Sequence, residues 1–346
     1  MYALERSDYF ETNHPTMTIS FDRRNLLKAL IAIPCAIGGY FVYREFKEDD
    51  SVIRTIGERT LPPPKPLPQP NADSSYQFIA VGDTGLASEN RKAVIDKMAG
   101  QQETKPLDSI FLVGDNFYDK GVASTTDKHW QRHFIKPFAN RFTSKFYACL
   151  GNHDYYGNIA AQVEYTQLHD QWNMPAPYYA FTQKIADQCN VEFFVLDTTP
   201  IEEGDHSTRA QITWLTDKLK HSTANYKIVI GHHPLYSGGE HGRSRRNYNQ
   251  LAKLFDKFDI DLYICGHDHD LQLHDTQRGW LHLVSGSGSK LRTVSWVHTT
   301  LFAKAASGFA KIVLTPTNLG IELHSTDELL FSHSQPARKK MLAKSV

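Results

Sequence analysis

The chain has 346 residues, of which 40% are hydrophobic, 22% charged and 12% aromatic, and its 38 basic and 38 acidic residues leave no formal net charge. That length holds one large domain or two modest ones, with the composition of an ordinary soluble globular protein. Balanced charge removes the global electrostatic case for a nucleic-acid partner, and four cysteines are too few for a disulfide framework.

Residues 1–24 form an N-terminal segment ending in Asp22-Arg23-Arg24, followed by Asn25-Leu26-Leu27-Lys28. The run is similar to a twin-arginine export motif, with Asp in place of the usual first Ser or Thr. Residues 25–45 are a hydrophobic signal or anchor segment. The uncharged stretch 29–43 is shorter than the roughly 20 residues of a full membrane span and suits the apolar part of an export signal. No A-x-A cleavage site follows it, so cleavage and retention as an anchor both stay open, as does a start at Met1 or Met17. The expectation is an exported protein, periplasmic or on the extracellular side. Residues 46–74 are a linker whose part 61–71, rich in proline, reads as a semi-rigid spacer. The globular domain is expected over 75–326, with 327–346 a C-terminal tail whose polar, basic part 333–346 frays.

Within the domain, five apolar runs of strand length stop at or just before a glycine and meet a metal-ligand type at once. They are 77–82 before Asp83, 109–114 before Asp115, 145–151 before Asn152, 227–231 before His232, and 262–266 before His267 and His269. Helical spacing predicts helices over 88–101, over 128–142 as far as Pro137, over 207–221 with Ser207 as cap, and over 247–258. Further strands are expected at 191–197, 271–274, 280–285, 309–314 and 320–324. Strand, loop and helix alternate until about Asp270 and short strands follow. This order points to an α/β sandwich, sheet on sheet with helices outside, rather than a barrel. Cys149 and Cys265 fall inside apolar runs and read as buried thiols.

Asp83, Asp115, Asn152, His232, His267 and His269 make an oxygen- and imidazole-rich set. One zinc ion takes three or four ligands, so six or seven imply two metals sharing a carboxylate. Two adjacent metals clamp the attacking and leaving oxygens of an in-line displacement at phosphorus. An Asn supplies a neutral oxygen that adds no negative charge beside an anionic substrate.

The blocks Gly-Asp, Gly-Asp-x-x-x, Gly-Asn-His-Asp, Gly-His and Gly-His-x-His, in this order over about 75–270, resemble the calcineurin-like metallophosphoesterases. Many members begin Asp-x-His, and here Gly85 stands at the His position. Tyr118 follows three residues after Asp115. With Gly-Glu-His241-Gly and Cys-Gly-His-Asp-His269, the pattern is closest to the small, tartrate-resistant, mammalian-type purple acid phosphatases. The resemblance implies a four-layer α/β/β/α sandwich of two mixed β-sheets. It implies a dinuclear centre with Fe(III) on Asp83, Tyr118 and His269, and Fe(II), Zn(II) or Mn(II) on Asn152, His232 and His267, with Asp115 bridging. It also implies a metal-bound hydroxide attacking the phosphorus of a small phosphomonoester, His153 donating to the phosphate or its leaving oxygen, and His241 as a general acid. A phosphodiesterase or nucleotidase on the same site is the alternative within the class. An inactive cell-surface binding module with a relict metal site is the alternative outside it. His233, Asp154 and Asp268 read as residues that orient neighbours, and Asp270 has no assigned role. Arg243, Arg245 and Arg246 read either as a solvated loop or as a rim that holds anionic substrate.

Overall fold

The computed structural model describes residues 61–68, 74–102 and 105–338. The expectations for 1–60, with the export-like motif and the apolar segment, lie outside the described residues, as does the end of the tail at 339–346.

Among the described residues, fourteen strands form two seven-stranded mixed sheets. The first runs in the order β14 (Leu329–Pro336), β13 (Asn318–Ser325), β12 (Gly308–Leu314), β1 (Tyr76–Val81), β2 (Ser109–Val113), β3 (Lys145–Cys149) and β4 (Trp172–Asn173). The second runs β11 (Thr300–Lys304), β9 (Leu271–Asp275), β10 (Leu281–Ser285), β8 (Leu262–Cys265), β7 (Tyr226–Ile230), β6 (Cys189–Val195) and β5 (Tyr179–Ala186). Strands β1, β2 and β3 are parallel, with Val81 opposite Leu112 and Val113 opposite Cys149. Strands β7 and β8 are parallel with Ile230 opposite Ile264. These registers release the chain at a common level, so all five glycine-ended strands deliver their next residues to one edge, outside the strands' carboxyl ends.

Alternation along the second sheet separates two cores. Val191, Phe193, Ile228, Ile230, Leu262 and Ile264 face the first sheet, whereas Phe194, Val229, Tyr263 and Cys265 pack with helices on the outer side. Phe193 crosses the inter-sheet space with its ring centroid 4.7 Å from Phe111 and 5.4 Å from Phe78. The outer layer on the second sheet comes from α4 (Thr199–Glu203), α5 (Thr208–His221) and α6 (Arg245–Lys257), through Ile201, Leu215, Leu219, Leu251 and Phe255. On the first sheet, α1 (Glu89–Gly100) contributes Val94, Ile95 and Met98. The short helices α2 (Lys128–Trp130) and α3 (Ile159–Glu164) complete the helical set. The result is the four-layer α/β/β/α sandwich expected.

Some local expectations are corrected. Pro137 does not end its helix: α2 continues as a π-helix, Gln131–Ala139, closed by Asn140 N–H donating to Ile135 O at 2.9 Å. Trp130, Phe134 and Phe138 share one buried face that packs on Trp172 and Phe146, and this tertiary contact outweighs the proline. Ser207 has helical backbone angles and makes no side-chain cap. Asp205 Oδ1 instead accepts from Ser207 N–H at 2.8 Å. Helix α6 starts two residues earlier than the spacing predicts, at Arg245, because Ser244 Oγ accepts from Asn247 N–H. The tail assigned to 327–346 is not all frayed, since Leu329–Pro336 pairs with β13 as an edge strand. The spacer is not free of the domain either. Leu67 N–H donates to Glu322 Oε1 at 2.9 Å, and Ser332 Oγ donates to Lys65 O at 2.6 Å.

Candidate metal centre

The first cluster forms around a phenol. Tyr118 Oη lies 2.9 Å from Asp83 Oδ1, 2.8 Å from Asp115 Oδ2 and 3.2 Å from His269 Nε2. The second forms around an amide oxygen. Asn152 Oδ1 lies 3.2 Å from His232 Nε2 and 3.1 Å from His267 Nδ1, and those two nitrogens are 3.2 Å apart. Asp115 joins them: its Oδ2 faces Tyr118, while its Oδ1 is 3.5 Å from His232 Nε2. All seven residues singled out as ligands therefore converge, drawn from both sheets.

The backbone pays a conformational cost for this convergence. Asp83, Asp115 and His267 all adopt positive φ, at 59°, 53° and 69°. Left-handed backbone is uncommon outside glycine, is most tolerable for Asp, Asn and His, and clusters at functional sites. Gly114 precedes Asp115 with φ 92°, and a Cβ there would run into the His232 ring. Gly85 explains the missing histidine: a Cβ would collide with the backbone of Phe117 and Tyr118. Gly85 N–H donates to Asp115 O at 3.1 Å and Tyr118 N–H to Gly85 O at 3.3 Å. The loop that brings Tyr118 in occupies the room a side chain at 85 would need.

The donor set fits a pair of cations. Val113 O accepts from His232 Nδ1 at 3.0 Å, which fixes the proton on Nδ1 and leaves Nε2 as a lone pair facing Asn152 Oδ1. Lone pair meets lone pair there, and a cation between them makes the contact favourable. In the first cluster, one phenol proton is shared among two buried carboxylates and an imidazole. Burial pushes the Asp83 carboxyl well above its usual range, and burial followed by the charges of Asp83 and Asp115 pushes the Tyr118 phenol up. Burial, then neighbouring histidines, pushes His267 well down, and burial followed by Arg292 takes His269 down to about 4. The protein thus presents neutral imidazoles together with crowded acidic oxygens that hold protons a metal ion would displace on binding.

The remaining candidates surround this centre. The His153 N–H donates to Asp115 Oδ1 at 2.9 Å, and its ring lies 4.5 Å from the Tyr118 ring. His241 stacks 4.4 Å from the His267 ring and receives a guanidinium N–H of Arg292 on Nε2. Burial and then Arg292 push the His241 ring down. Asp154 orients rather than ligates: its carboxylate accepts from the N–H groups of Gly151 (2.9 Å), Asn116 (3.1 Å) and Phe117 (3.3 Å). Asp268 accepts from His241 N–H at 2.9 Å and from Ser237 Oγ. Thr198 Oγ1 accepts from the N–H groups of His232 and His233 and contacts His233 Nδ1 at 2.9 Å, holding His233 away from the centre. Asp270 accepts from Gln272 Nε2 at 2.7 Å, and burial keeps it well above the usual range.

Of the two readings of the arginines, the contacts of Arg243 and Arg246 favour the loop over the rim. Arg243 lies over the Tyr248 ring at 4.8 Å, and Arg246 donates to Glu202 O at 2.5 Å, on the α4–α6 side. The cations at the centre are Lys290 and Arg292, with Lys290 Nζ 4.7 Å from the Tyr118 ring centroid. Neither was singled out, although they follow a Gly/Ser run, 286–289, directly after a strand. Asp197 was also missed as a site neighbour. It ends the run 191–197 and accepts from Tyr155 Oη at 2.5 Å, and burial raises its carboxyl to about 7.

The model of the calcineurin-like phosphoesterase family matches residues 76–271. The chain is 33% identical over 238 residues to tartrate-resistant acid phosphatase type 5 of Mus musculus, covering 62% of this chain and 73% of that protein. It is 33% identical over 242 residues to purple acid phosphatase 17 of Arabidopsis thaliana, covering 63% and 70%. Among solved structures, GAP50, the anchor in the inner membrane complex of Plasmodium, superimposes with a TM-score of 0.72 at 23% identity, covering 78% of this chain and 90% of that one. The purple acid phosphatase PPD1 of yellow lupin gives 0.59 at 16% identity, covering 77% and 55%. At these identities the two structures speak for the fold alone.

Proposed function

The chain belongs to the calcineurin-like phosphoesterase family, and from that premise we propose that it is a phosphomonoesterase of the purple acid phosphatase type. In this reading Asp83, Tyr118 and His269 would hold Fe(III). Asn152, His232 and His267 would hold Fe(II), Zn(II) or Mn(II), with Asp115 shared. The observation that carries it is the Asp115 carboxylate, one oxygen toward each cluster, with the Tyr118 phenol in the first. When bound, the two ions supply Lewis acidity to the phosphoryl group and make water a stronger nucleophile.

The chain's own residues do the rest. Asn152 contributes an uncharged oxygen and so does not repel the substrate. His153 Nδ1 lies 3.0 Å from Asp119 O, a pure acceptor, so Nδ1 carries a proton. Its Nε2 then offers an N–H to phosphate when the ring carries its second proton. His241 fits the acid role less well, because Arg292 donates to its Nε2 and that nitrogen must be bare. The export-like N-terminal segment places this activity outside the cytoplasm in the same reading. Among the described residues, no helix is long and apolar enough to cross a membrane.

Visible spectroscopy with metal analysis of the purified protein tests the assignment. A phenolate-to-Fe(III) absorption band is expected, and Tyr118→Phe should abolish it. A colourless, active protein holding two zinc or manganese ions would overturn the iron assignment. Absence of any bound metal would overturn the enzyme.

A further inference from the structure

Two histidines stand side by side after β7, and His232 is the one that joins the second cluster, its Nε2 lying 3.2 Å from Asn152 Oδ1. Thr198, fully buried at the start of α4, separates their roles. A threonine at a helix N-cap ordinarily turns its hydroxyl to the N–H groups of the first turn. Here the side chain makes no cap bond. Its Oγ1 instead accepts from His232 N–H at 3.1 Å and from His233 N–H at 3.0 Å, and lies 2.9 Å from His233 Nδ1.

These three contacts assign the protons. The two backbone N–H groups can only donate, and they take both lone pairs of the hydroxyl. The hydroxyl proton is what remains, and His233 Nδ1 is the neighbour left to accept it. The His233 ring is therefore neutral, with the Nδ1 lone pair in use and the proton on Nε2. Neither of its nitrogens has a lone pair to offer a cation. His232 has the opposite arrangement, because Val113 O accepts from its Nδ1 and leaves Nε2 bare.

The clamp is itself held from several sides. His232 O accepts from Gly266 N–H at 3.1 Å, so the backbone of His232 is fixed through both its N–H and its carbonyl. A Cβ at Gly231 would lie 2.6 Å from the Thr198 methyl, so that methyl closes against the glycine before the histidine pair. Thr198 O accepts from Glu202 N–H at 3.0 Å and from Asn247 Nδ2 at 3.2 Å. The Asn247 amide is fully buried and also donates to Ser244 Oγ at 2.8 Å. A chain of contacts thus runs from α6 through Asn247 and Thr198 to the backbone of His232.

We propose that Thr198 is a positioning residue that decides which of the two adjacent histidines serves the second metal ion. It fixes the backbone of His232 and occupies the lone pair of His233. This rests on the two-metal reading above and concerns only its second half. Serine keeps the hydroxyl, whereas valine keeps the shape and loses it, so the two substitutions separate hydrogen bonding from packing.

NMR of isotope-labelled histidine rings in the metal-free full chain reads the tautomer directly. His233 should show a bare Nδ1 and a protonated Nε2; a protonated Nδ1 overturns the proposal without recourse to any variant. Zn(II) titration of the same full chain, followed through the ring signals, then separates the halves of the centre, with His269 reporting the first and His232 and His267 the second. In Thr198→Val the zinc affinity of the second half should fall about 10- to 100-fold, with the first half unchanged and His233 spread over both tautomers. Thr198→Ser should behave as wild type. If the valine variant does not fold, Thr198→Ala takes its place with the same outcomes expected. Equal weakening of both halves, as a general loosening would give, or no weakening of the second half overturns the proposal and leaves the metal reading standing. Failure of wild type to take up two zinc ions overturns that reading and the proposal with it.

Discussion

Asp154 is the sharpest place to test how the ligand loops are held. Its carboxylate is fully buried and accepts three backbone N–H groups, of Gly151, Asn116 and Phe117, plus side-chain N–H groups of Gln162 at 3.0 Å and Asn116 at 3.3 Å. It thereby ties the turn carrying Tyr118 to the turn carrying Asn152. Asp154→Ala leaves three buried backbone donors without acceptors, at about 1–3 kcal/mol each. Two effects offset part of this. Water enters the vacated space, and the repulsion from Asp115 disappears; burial and then that repulsion hold the Asp154 carboxyl up at about 6. Roughly 3–5 kcal/mol of destabilisation should remain. Asp154→Asn keeps the Oδ2 acceptor and should cost only about 2 kcal/mol, because the loss falls on the two Oδ1 contacts, to Phe117 N–H and to Gln162 Nε2. Urea unfolding of the metal-free protein at neutral pH measures both. Metal titration of the same variants should show weakened binding, more so for Ala. Equal costs for the two variants, or less than about 1 kcal/mol for Ala with metal binding intact, would refute the idea that this carboxylate organises the centre.

Phe193→Ala should cost about 3–5 kcal/mol in the same urea assay, since the ring is fully buried between the sheets. For Asp197, burial raises the carboxyl from an ordinary 3.8 to about 7, so the folded state keeps a proton that the unfolded chain has lost. Stability from this group is present below the ordinary value and falls as pH rises through that window, by roughly 4 kcal/mol at most. Melting temperatures across pH 4–8 should accordingly show a shallower decline in Asp197→Asn than in wild type. Stripping metals with a chelator should lower the melting temperature, and reloading to about 100 times the dissociation constant should restore about 2.7 kcal/mol; an unchanged melting temperature would count against a built metal centre.

Much of the centre was legible because parallel strands convert sequence adjacency into spatial adjacency. A residue after each of β1, β2, β3, β7 and β8 must arrive at the same edge once the registers align, so Asp83, Asp115, Asn152, His232 and His267 could be grouped without knowing the fold. Tyr118 was legible only through the family resemblance, which its place three residues after Asp115 supports. The reason its loop can enter, the empty volume at Gly85, appears only in three dimensions. Lys290 and Arg292 were not legible, because their place depends on a nonlocal pairing of 293–295 with 238–240 that carries no periodic signal. Pro137 misled because local propensity argues for a stop, while the aromatic face of Trp130, Phe134 and Phe138 argues for continuation. The edge strand β14 reads as tail because its Ser, His and Gln residues are half-buried or exposed and lack the apolar signature of a central strand.

The same geometry explains why this centre needs the rest of the sandwich. Three left-handed ligand residues each add strain on the order of 1 kcal/mol or more. Asp83 and Asp115 are buried side by side, and His232 Nε2 faces an oxygen lone pair. Without cations every one of these features opposes folding. The opposing stabilisation must come from outside the site, and the aromatic layer between the sheets, Phe78, Phe111 and Phe193, lies directly beneath the strand ends that carry the ligands. The core thus holds these side-chain atoms at contact distance from one another. Among side chains near the centre, this logic separates ligands from supports. Residues whose contacts are unfavourable without a cation, such as Asn152 and His232, fit the part of ligands. Residues whose contacts are already satisfied, such as Asp154 and Asp268, are the ones that hold the others still.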